Sequence, residues 1–492
     1  MAPKFVLLWT DVVLFLLVLS LIWYVWHVRR SPNLRSNWIK VFGDAPALCS
    51  AVVMTAFLVV TLLDSVHFRR ALPASATETA GSAVAYDTRT ESVLDVLLAG
   101  LVKSREASYS VPLAYQGFTK ESRDVNGVSV RSFPRLLHGG AALQDPATQW
   151  LPDLFRRAGS GLALGLAVAV LAWLVVAAGY ARRHQLGLGD AISRVAHNRT
   201  HLPLRAALLT FAAMCALGGP AIALMQQYHV LGTDRTGNDV FYQALKSIRT
   251  AFVIGTLATL ATLPFAVILG VVAGYFKGWV DEVIQYLYTT LSSVPNVLLI
   301  AACVLMVQVF IDKNPDLFAT GAERSDLRIF LLCVILGLTG WASLCRLLRA
   351  ETMKLRELEY VQAATAFGVG HWRIMLRHIV PNVMHLVLIT TVLEFSGLIL
   401  YEAVLSYVGV GVDPSMSSFG GMINLARSEM SRDPIVWWSF AAAFAFMVTL
   451  VLAANLFADG VRDAFDPRSR VFRPRQRAAA KFMADKLAAR KR

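Results

Sequence analysis

The sequence carries little charge for its length. Only 16% of its 492 residues are charged, against roughly 25% in an average soluble domain, while 56% are hydrophobic. A soluble chain of this size would fold as several domains with polar surfaces, and so few charges cannot cover those surfaces. The same hydrophobicity excludes a disordered chain. The composition therefore indicates a protein with several membrane spans.

Cysteine and catalytic motifs are also scarce. The five cysteines stand in or beside apolar runs without CxxC spacing, which favours buried thiols over disulfides or metal sites. No Gly-x-x-x-x-Gly-Lys-Ser/Thr phosphate loop is present, so we do not expect this chain to bind ATP in that way. His197 and His201 have metal-ligand spacing, but they lie in a basic loop, which favours a solvated face. We expect no catalytic and no metal-binding residues.

Long apolar runs dominate the rest of the sequence. A bilayer core requires about 20 apolar residues per helix, and nine runs approach or exceed that length. The first run is too long for a signal-peptide core, lacks a cleavage site and precedes Arg29 and Arg30, so we interpret it as an anchor. The sequence predicts an all-α polytopic membrane protein with about nine transmembrane helices, roughly at 5–27, 47–66, 159–180, 204–226, 249–276, 291–311, 328–346, 382–404 and 435–458.

Positive charge is distributed unequally between alternate loops. With a periplasmic N-terminus, the cytoplasmic loops and the C-terminal tail carry a net charge of +17. The whole chain carries +14, so all other residues together carry −3. Because cytoplasmic loops carry excess Lys and Arg, we predict this orientation, with a cytoplasmic C-terminus. The tail 461–492 carries +8 and few aromatic residues, so we expect it to face anionic lipid headgroups rather than nucleic acid.

The largest segment outside the spans is 67–158. Its Ser-, Thr-, Ala- and Gly-containing stretches and mixed charge predict a periplasmic excursion. One short helix is predicted near Thr90–Val102, with one face formed by Ser92, Val93, Val96 and Leu97.

The cytoplasmic segment 345–381 has the pattern of two short helices with a break between them. Small helix-forming residues come first, and Gly368 and Gly370 are expected to end the first helix. Pro381 should end the second helix and begin the next span. The second helix is predicted to be amphipathic, with Trp372, Met375, Leu376 and Ile379 on one face and Arg373 and Arg377 on the other.

This segment resembles the cytoplasmic EAA loop of ATP-binding-cassette importer permeases. That loop has Glu-Ala-Ala, three residues, Gly, nine residues and a short apolar stretch ending in Pro. Ala363, Ala364, Gly368 and Pro381 keep the spacing. Gln362 stands where the family usually has Glu, which preserves hydrogen bonding but removes the charge.

Four further stretches resemble the dipeptide, oligopeptide and nickel permeases. The first begins at His229 and runs to Val240, with Val230 and Asn238 in place of the usual Pro and Arg; the others are 278–282, 402–412 and 459–468. The resemblance implies a permease domain of six helices at 204–460. It would be preceded by an N-terminal extension, 1–203, with three spans, and followed by the basic tail 461–492.

The resemblance also implies partners. The chain would form half of a translocation pathway for peptides or related solutes, a homologous permease would form the other half, two ATPase subunits would bind ATP, and a periplasmic solute-binding protein would deliver cargo. No cofactor is expected in this chain. A secondary transporter and a polytopic membrane enzyme are the alternatives, and ATP dependence distinguishes them. The implied ATPase-coupling residues are Glu359, Gln362, Ala363, Ala364, Ala366, Phe367, Gly368, Arg373, Arg377 and Pro381.

Two carboxylates lie within the predicted span 382–404. Glu394 and Glu402 are costly inside a membrane, so they could line the pathway or contact the amino group of a peptide. A hydrogen-bonded structural role between helices is the alternative, and we favour it, because Glu402 lies near the predicted outer end.

Overall fold

The computed structural model describes residues 4–71, 86–125, 128–318 and 320–465, which form a bundle of helices with two small sheets. Most of the basic tail, including motif residues 466–468, lies outside these residues. The strands are β1 Lys4–Val6, β2 His67–Arg69, β3 Glu91–Ser92, β4 Glu121–Val125 and β5 Val128–Ser132. The helices are α1 Trp9–Arg30, α2 Pro32–Gly43, α3 Ala45–Asp64, α4 Val93–Leu97, α5 Ala99–Lys103, α6 Pro146–His184, α7 Leu188–Ala196, α8 Leu204–Leu224, α9 Val240–Phe276, α10 Gly278–Ser293, α11 Asn296–Lys313, α12 Gly321–Gly340, α13 Ala342–Arg356, α14 Glu359–Ala366, α15 His371–Ile374, α16 Val380–Tyr407, α17 Phe419–Glu429 and α18 Trp438–Phe465.

The predicted all-α polytopic fold is confirmed. Among the described residues, eight helices are long and apolar enough to cross a membrane, and the bent pair α12–α13 makes a ninth candidate. Each predicted run overlaps one of them. The run 328–346 corresponds to the bent pair, whose two helices meet at an angle of 42°. α9 begins at Val240, well before the predicted residue 249, because Asp239 caps it there by accepting the N–H of Tyr242.

α9 is the central helix of the bundle and packs against α3, α12, α13 and α16. It is apolar on nearly all sides, as expected of a buried helix. Glycines allow the closest contacts. A Cβ atom at Gly270 would lie 2.9 Å from the carbonyl oxygen of Cys345. One at Gly274 would lie 2.6 Å from the carbonyl oxygen of Arg349, so α13 rests directly on the backbone of α9.

The first three helices belong to the same bundle. α3 packs against α9 and α18. The contact with α18 is close, because a Cβ atom at Gly460 would lie 2.4 Å from that of Ala47. On α2, the ring of Trp38 lies 6.4 Å from that of Phe457 and 5.7 Å from that of Phe465. The end of α18 is therefore covered by the N-terminal helices.

α6 and α8 form a closely packed pair through small residues. A Cβ atom at Gly165 would lie 2.2 Å from the carbonyl oxygen of Cys215. One at Gly219 would lie 2.3 Å from the carbonyl oxygen of Gly161. Small residues four apart allow two membrane helices to bring their backbones together, so this pair has the small-xxx-small geometry of membrane helix dimers.

The α6–α8 contact predicts a specific sensitivity. Gly165→Val should force the two backbones apart and lower the free energy of unfolding by about 1–3 kcal/mol, the usual cost of overpacking. Thermal unfolding of the detergent-purified protein measures this. Gly159→Val is the matched control, because nothing lies within 4 Å of a Cβ atom at that position of the same helix. Equal unfolding temperatures for the two variants would contradict the contact.

The excursion contains two short helices instead of the single predicted one. α4 starts with a capping box, in which the Ser92 hydroxyl accepts the N–H of Asp95 and the Asp95 carboxylate accepts the N–H of Ser92. The predicted apolar face is wrong. Leu94, Leu98 and Leu101 are buried, while Val96 and Leu97 are exposed, because the helices lie on side chains of α3, α8 and α9. These three leucines stand at i, i+4 and i+7, a spacing that is typical of one apolar helix face and would have predicted it.

The His229 motif forms the turn that joins α8 to α9 and holds the excursion. The His229 ring contacts Asp239 at 2.8 Å and, on its other side, Glu106 at 3.5 Å. Glu106 also accepts backbone N–H groups of residues 137–139. Burial lowers the pKa of His229, but the two carboxylates outweigh it and raise that pKa to about 9. Burial raises the pKa of Glu106, but His229 and the N–H groups hold it at about 2.

These directions predict the pH dependence of stability. A raised histidine pKa contributes stability that is complete below about pH 6.5 and is lost as the pH rises through about 9. We expect the free energy of unfolding to fall by up to about 3 kcal/mol over that interval. His229→Gln should unfold more easily at pH 6.5 and show a flatter profile. His138→Gln, at an exposed neighbour, should keep the wild-type profile; a wild-type profile in His229→Gln would refute the assignment.

Candidate functional site

Residues 357–381, here termed the interhelical segment, connect α13 to α16. α14 ends in a Schellman motif, in which the N–H of Val369 donates to the carbonyl of Ala364 and the N–H of Gly368 to that of Thr365. Gly368 has a φ of +73°, which glycine adopts without steric cost. The prediction that Gly370 also ends this helix was wrong. Its φ is −59°, and it is the N-cap of α15.

The second helix does not end at Pro381, contrary to the prediction. α15 continues through a π-helical turn, Met375–Ile379, into α16, so one helix runs from His371 to Tyr407. A proline ring inside a helix clashes with the carbonyl four residues earlier, here that of Arg377. Arg377 lies in the π turn, where the wider backbone accommodates the ring. Pro381 thus lies in the first turn of α16.

The predicted apolar face of this helix is only half buried. Met375 and Ile379 are buried together with Ile374, but Trp372 and Leu376 are 65% and 67% exposed. The single apolar face was therefore wrong. The π turn changes the number of residues per turn, so spacing that suits an ordinary α-helix no longer places these four side chains on one side.

The interhelical segment presents an exposed surface. Phe367 is 87% exposed, and Trp372 and Leu376 are exposed as given above. Large apolar side chains concentrated in one exposed segment indicate a surface that another molecule covers. Ala364 is half-buried, and the other residues implied by the resemblance are exposed: Glu359, Gln362, Ala363, Ala366, Phe367, Gly368, Arg373, Arg377 and Pro381.

Polar contacts fix the segment to the end of α9. The Tyr275 hydroxyl lies 2.9 Å from Nδ1 of His371, and Arg356 donates to the Tyr275 carbonyl at 2.6 Å. Val361 of α14 is buried in the same apolar cluster as Tyr275 and Ile374, which anchors α14. Gln362 donates to the carbonyl of Glu357 at 3.2 Å. The uncharged side chain at the usual Glu position is therefore bonded within its own segment.

The neighbouring 278–282 motif contacts α13 through an ion pair. Lys277 and Gly278 both have positive φ, near +55° and +58°, which turns the chain sharply from α9 into α10. Asp281 then accepts two bonds from the Arg349 guanidinium, at 2.5 and 2.6 Å. Such paired bonds fix both position and orientation, so α10 and α13 are linked beside the interhelical segment.

The two carboxylates of α16 have different surroundings. Glu402 is 1% exposed and accepts a hydrogen bond from Ser406 at 2.6 Å. Ser406 is itself enclosed, because a Cβ atom at Gly411 would lie 2.0 Å from its hydroxyl. Glu394 is half-buried and makes no hydrogen bond or ion pair with the residues that the structure describes. The surroundings of Glu402 match the structural alternative, whereas Glu394 has no such partner among the described residues.

A buried charge cluster was missed by sequence reasoning. Arg249 on α9 is 4% exposed and donates to Asp11 on α1 at 2.6 Å, while Asp326 on α12 lies 3.6 Å away. Thr10 donates its N–H and hydroxyl to Asp326. His67 contacts Asp11 at 2.8 Å. The only signal was the presence of ionisable residues at the ends of apolar runs.

A second cation lies on the same helix. Lys246 on α9 contacts Asp64, the last residue of α3, at 2.6 Å and Asp95 of α4 at 3.0 Å. Burial raises the pKa of Asp95, but Lys246, the Tyr242 hydroxyl and the Ser92 N–H outweigh it and hold that pKa below its usual value. Both cations of α9 therefore pair with carboxylates that precede position 100, and Arg249 also faces Asp326.

The charge cluster predicts a large effect of one substitution. Arg249→Met should leave two buried carboxylates without their counter-ion and cost about 3–5 kcal/mol of unfolding free energy. Adding Asp11→Asn should cost less than the sum of the single changes, because it removes one of those carboxylates. Thermal unfolding measures both. Arg324→Gln is the control, because it breaks an exposed ion pair with Asp312 and should cost under about 1 kcal/mol. If Arg249→Met lowered the free energy of unfolding no more than this control, the charge cluster would be contradicted.

The geometry defines a class of protein. Helices long and apolar enough to cross a membrane form a bundle, and an exposed surface with large apolar side chains lies at the start of the continuous helix His371–Tyr407. Among the described residues, no three His, Cys, Asp or Glu side chains are grouped so that they could hold a metal ion.

Comparison with known proteins agrees with this class. Residues 266–471 match the family of binding-protein-dependent transport system inner membrane components. The chain is 32% identical over 250 residues to the oligopeptide transport system permease protein OppC of Haemophilus influenzae, covering 51% of this chain and 74% of that protein. It is 31% identical over 240 residues to the glutathione transport system permease protein GsiD of Pectobacterium atrosepticum, covering 49% and 73%. The chain belongs to this family of multi-pass inner-membrane transport permeases.

Proposed function

We propose that the chain forms half of the translocation pathway of an ATP-driven importer for peptides or peptide-like solutes. The similar proteins are permeases of oligopeptide and glutathione transport systems, which supports a peptide-like solute. The proposed orientation has a periplasmic N-terminus and a cytoplasmic tail. It is supported by the net charge of +17 on the loops and tail of one side.

The exposed interhelical segment carries this proposal. Phe367 and Trp372 are exposed, yet the backbone that bears them is fixed by the Schellman turn and by the Tyr275–His371 contact. An ATPase subunit that closes on ATP would press on this surface. Because α15 continues into α16, the displacement would pass directly to a membrane span.

The proposal assigns the remaining components to other chains. A second, homologous permease completes the pathway, two ATPase subunits bind ATP beneath it, and a periplasmic solute-binding protein delivers cargo. This chain is proposed to bind no cofactor and to catalyse no reaction. The lack of a phosphate-loop motif in its sequence is consistent with ATP on the partner subunits. Glu394 is the proposed candidate for contact with the solute's amino group.

A pair of glycine variants tests the coupling. In the complex reconstituted with its ATPases and loaded binding protein, Gly368→Ala should reduce ATP-dependent uptake roughly 5- to 30-fold. Alanine at this left-handed φ is strained by about 1–2 kcal/mol, and relief of the strain would shift the turn between α14 and α15. Gly370→Ser should leave uptake unchanged, because its φ is ordinary and serine is a favourable N-cap. Both positions have open space around a Cβ atom, so neither variant introduces a clash.

Two outcomes would count against the proposal. Undiminished uptake by a stably assembled Gly368→Ala complex would remove the coupling role from this segment. Uptake without ATP, or a chain that never co-purifies with an ATPase, would favour a secondary transporter. Thermal unfolding of both variants provides the control for misfolding.

A further inference from the structure

The corner between α1 and α2 forms a groove lined by cations. Arg29 and Arg30 end α1, and Arg35 and Lys40 lie on α2, which starts two residues later. The groove has a volume of about 490 Å³, and its lining is completed by Pro32, Ser36 and Ile39. No acidic side chain contributes to it. This feature lies outside the interhelical segment and does not depend on the function proposed above.

The four cations have no ion-pair partner among the residues that the structure describes. Arg30 instead stacks 3.6 Å from the ring centroid of Trp26. Asp44 is the single acidic residue between positions 28 and 46, and it does not line the groove. Like charges at close range repel one another, so an anion in the groove would remove an unfavourable interaction.

The groove lies where a membrane surface would pass. α1 is an apolar span that ends at Arg30, and α2 packs through Trp38 against the end of another span, α18. Next to the cations, apolar side chains face outward: Ile22 is 61%, Trp26 48% and Ile39 53% exposed. Tryptophan near the end of a span is typical of the headgroup level. Cations and apolar side chains are therefore adjacent at the membrane boundary.

We propose that this groove binds the headgroup of an anionic phospholipid. The phosphate would lie between the guanidinium groups, which match phosphate oxygens with paired hydrogen bonds, and the acyl chains would extend along the exposed apolar face of α1. Basic pockets beside membrane helices suit such headgroups. Inorganic phosphate would leave the apolar side chains next to the cations uncovered, whereas a phospholipid covers both.

Lipid retention by the full chain tests the site. The protein, purified in mild detergent and stripped of lipid, is mixed with phosphatidylglycerol or with phosphatidylcholine of the same acyl chains, and bound lipid is counted by native mass spectrometry. Phosphatidylglycerol should be retained preferentially. The double variant Arg30→Gln, Arg35→Gln should weaken that retention roughly 10- to 30-fold, because each of the two cations contributes a factor of roughly 3 to 5 to the affinity.

A matched arginine pair provides the control. Arg182 and Arg183 are also exposed at the end of a span, α6, but they do not line the α1–α2 groove, so Arg182→Gln with Arg183→Gln should retain phosphatidylglycerol like wild type. Equal retention of both lipids, or equal loss in both double variants, would overturn the proposal. So would displacement of the lipid by excess inorganic phosphate, which indicates a free-phosphate site. If the groove variant kept its lipid but lost co-purifying ATPase, the surface would bind protein instead.

Discussion

A fully enclosed arginine determines how the helices meet at one end of this bundle. An unpaired charge in that position costs several kcal/mol, so the structure is stable only where carboxylates surround the guanidinium. Arg249 belongs to α9, Asp11 to α1 and Asp326 to α12. A single side chain therefore joins the N-terminal helix α1 to the central helices α9 and α12.

The two ends of α9 are built differently. At its N-terminal end, charges from α1, α3, α4 and α12 converge on Arg249 and Lys246, and the His229–Asp239–Glu106 group caps the same region. At its C-terminal end, glycines bring α13 close, and Tyr275 packs in a buried apolar cluster with Val361 and Ile374, while the outer face of the interhelical segment stays exposed. The first end forms a fixed frame, whereas the second leaves the interhelical segment accessible to a partner.

Some of this structure could be predicted from sequence because it depends on local physics. Apolar length alone located the nine spans, and glycine at Gly368 located the break after α14, since only that residue adopts the required φ without cost. The exposure of Trp372 was not predictable, because it depends on a π turn that tertiary packing stabilises. The partners of Arg249 lie 238 residues earlier and 77 residues later, a separation that no periodic pattern reveals.

The helix from His371 to Tyr407 is continuous and longer than a membrane requires. Its 37 residues extend for about 55 Å, nearly twice the thickness of a bilayer core of about 30 Å. The exposed Trp372 and the buried Glu402 therefore lie about 45 Å apart along one axis. A single uninterrupted backbone thus connects the exposed surface to the buried pair of Glu402 and Ser406.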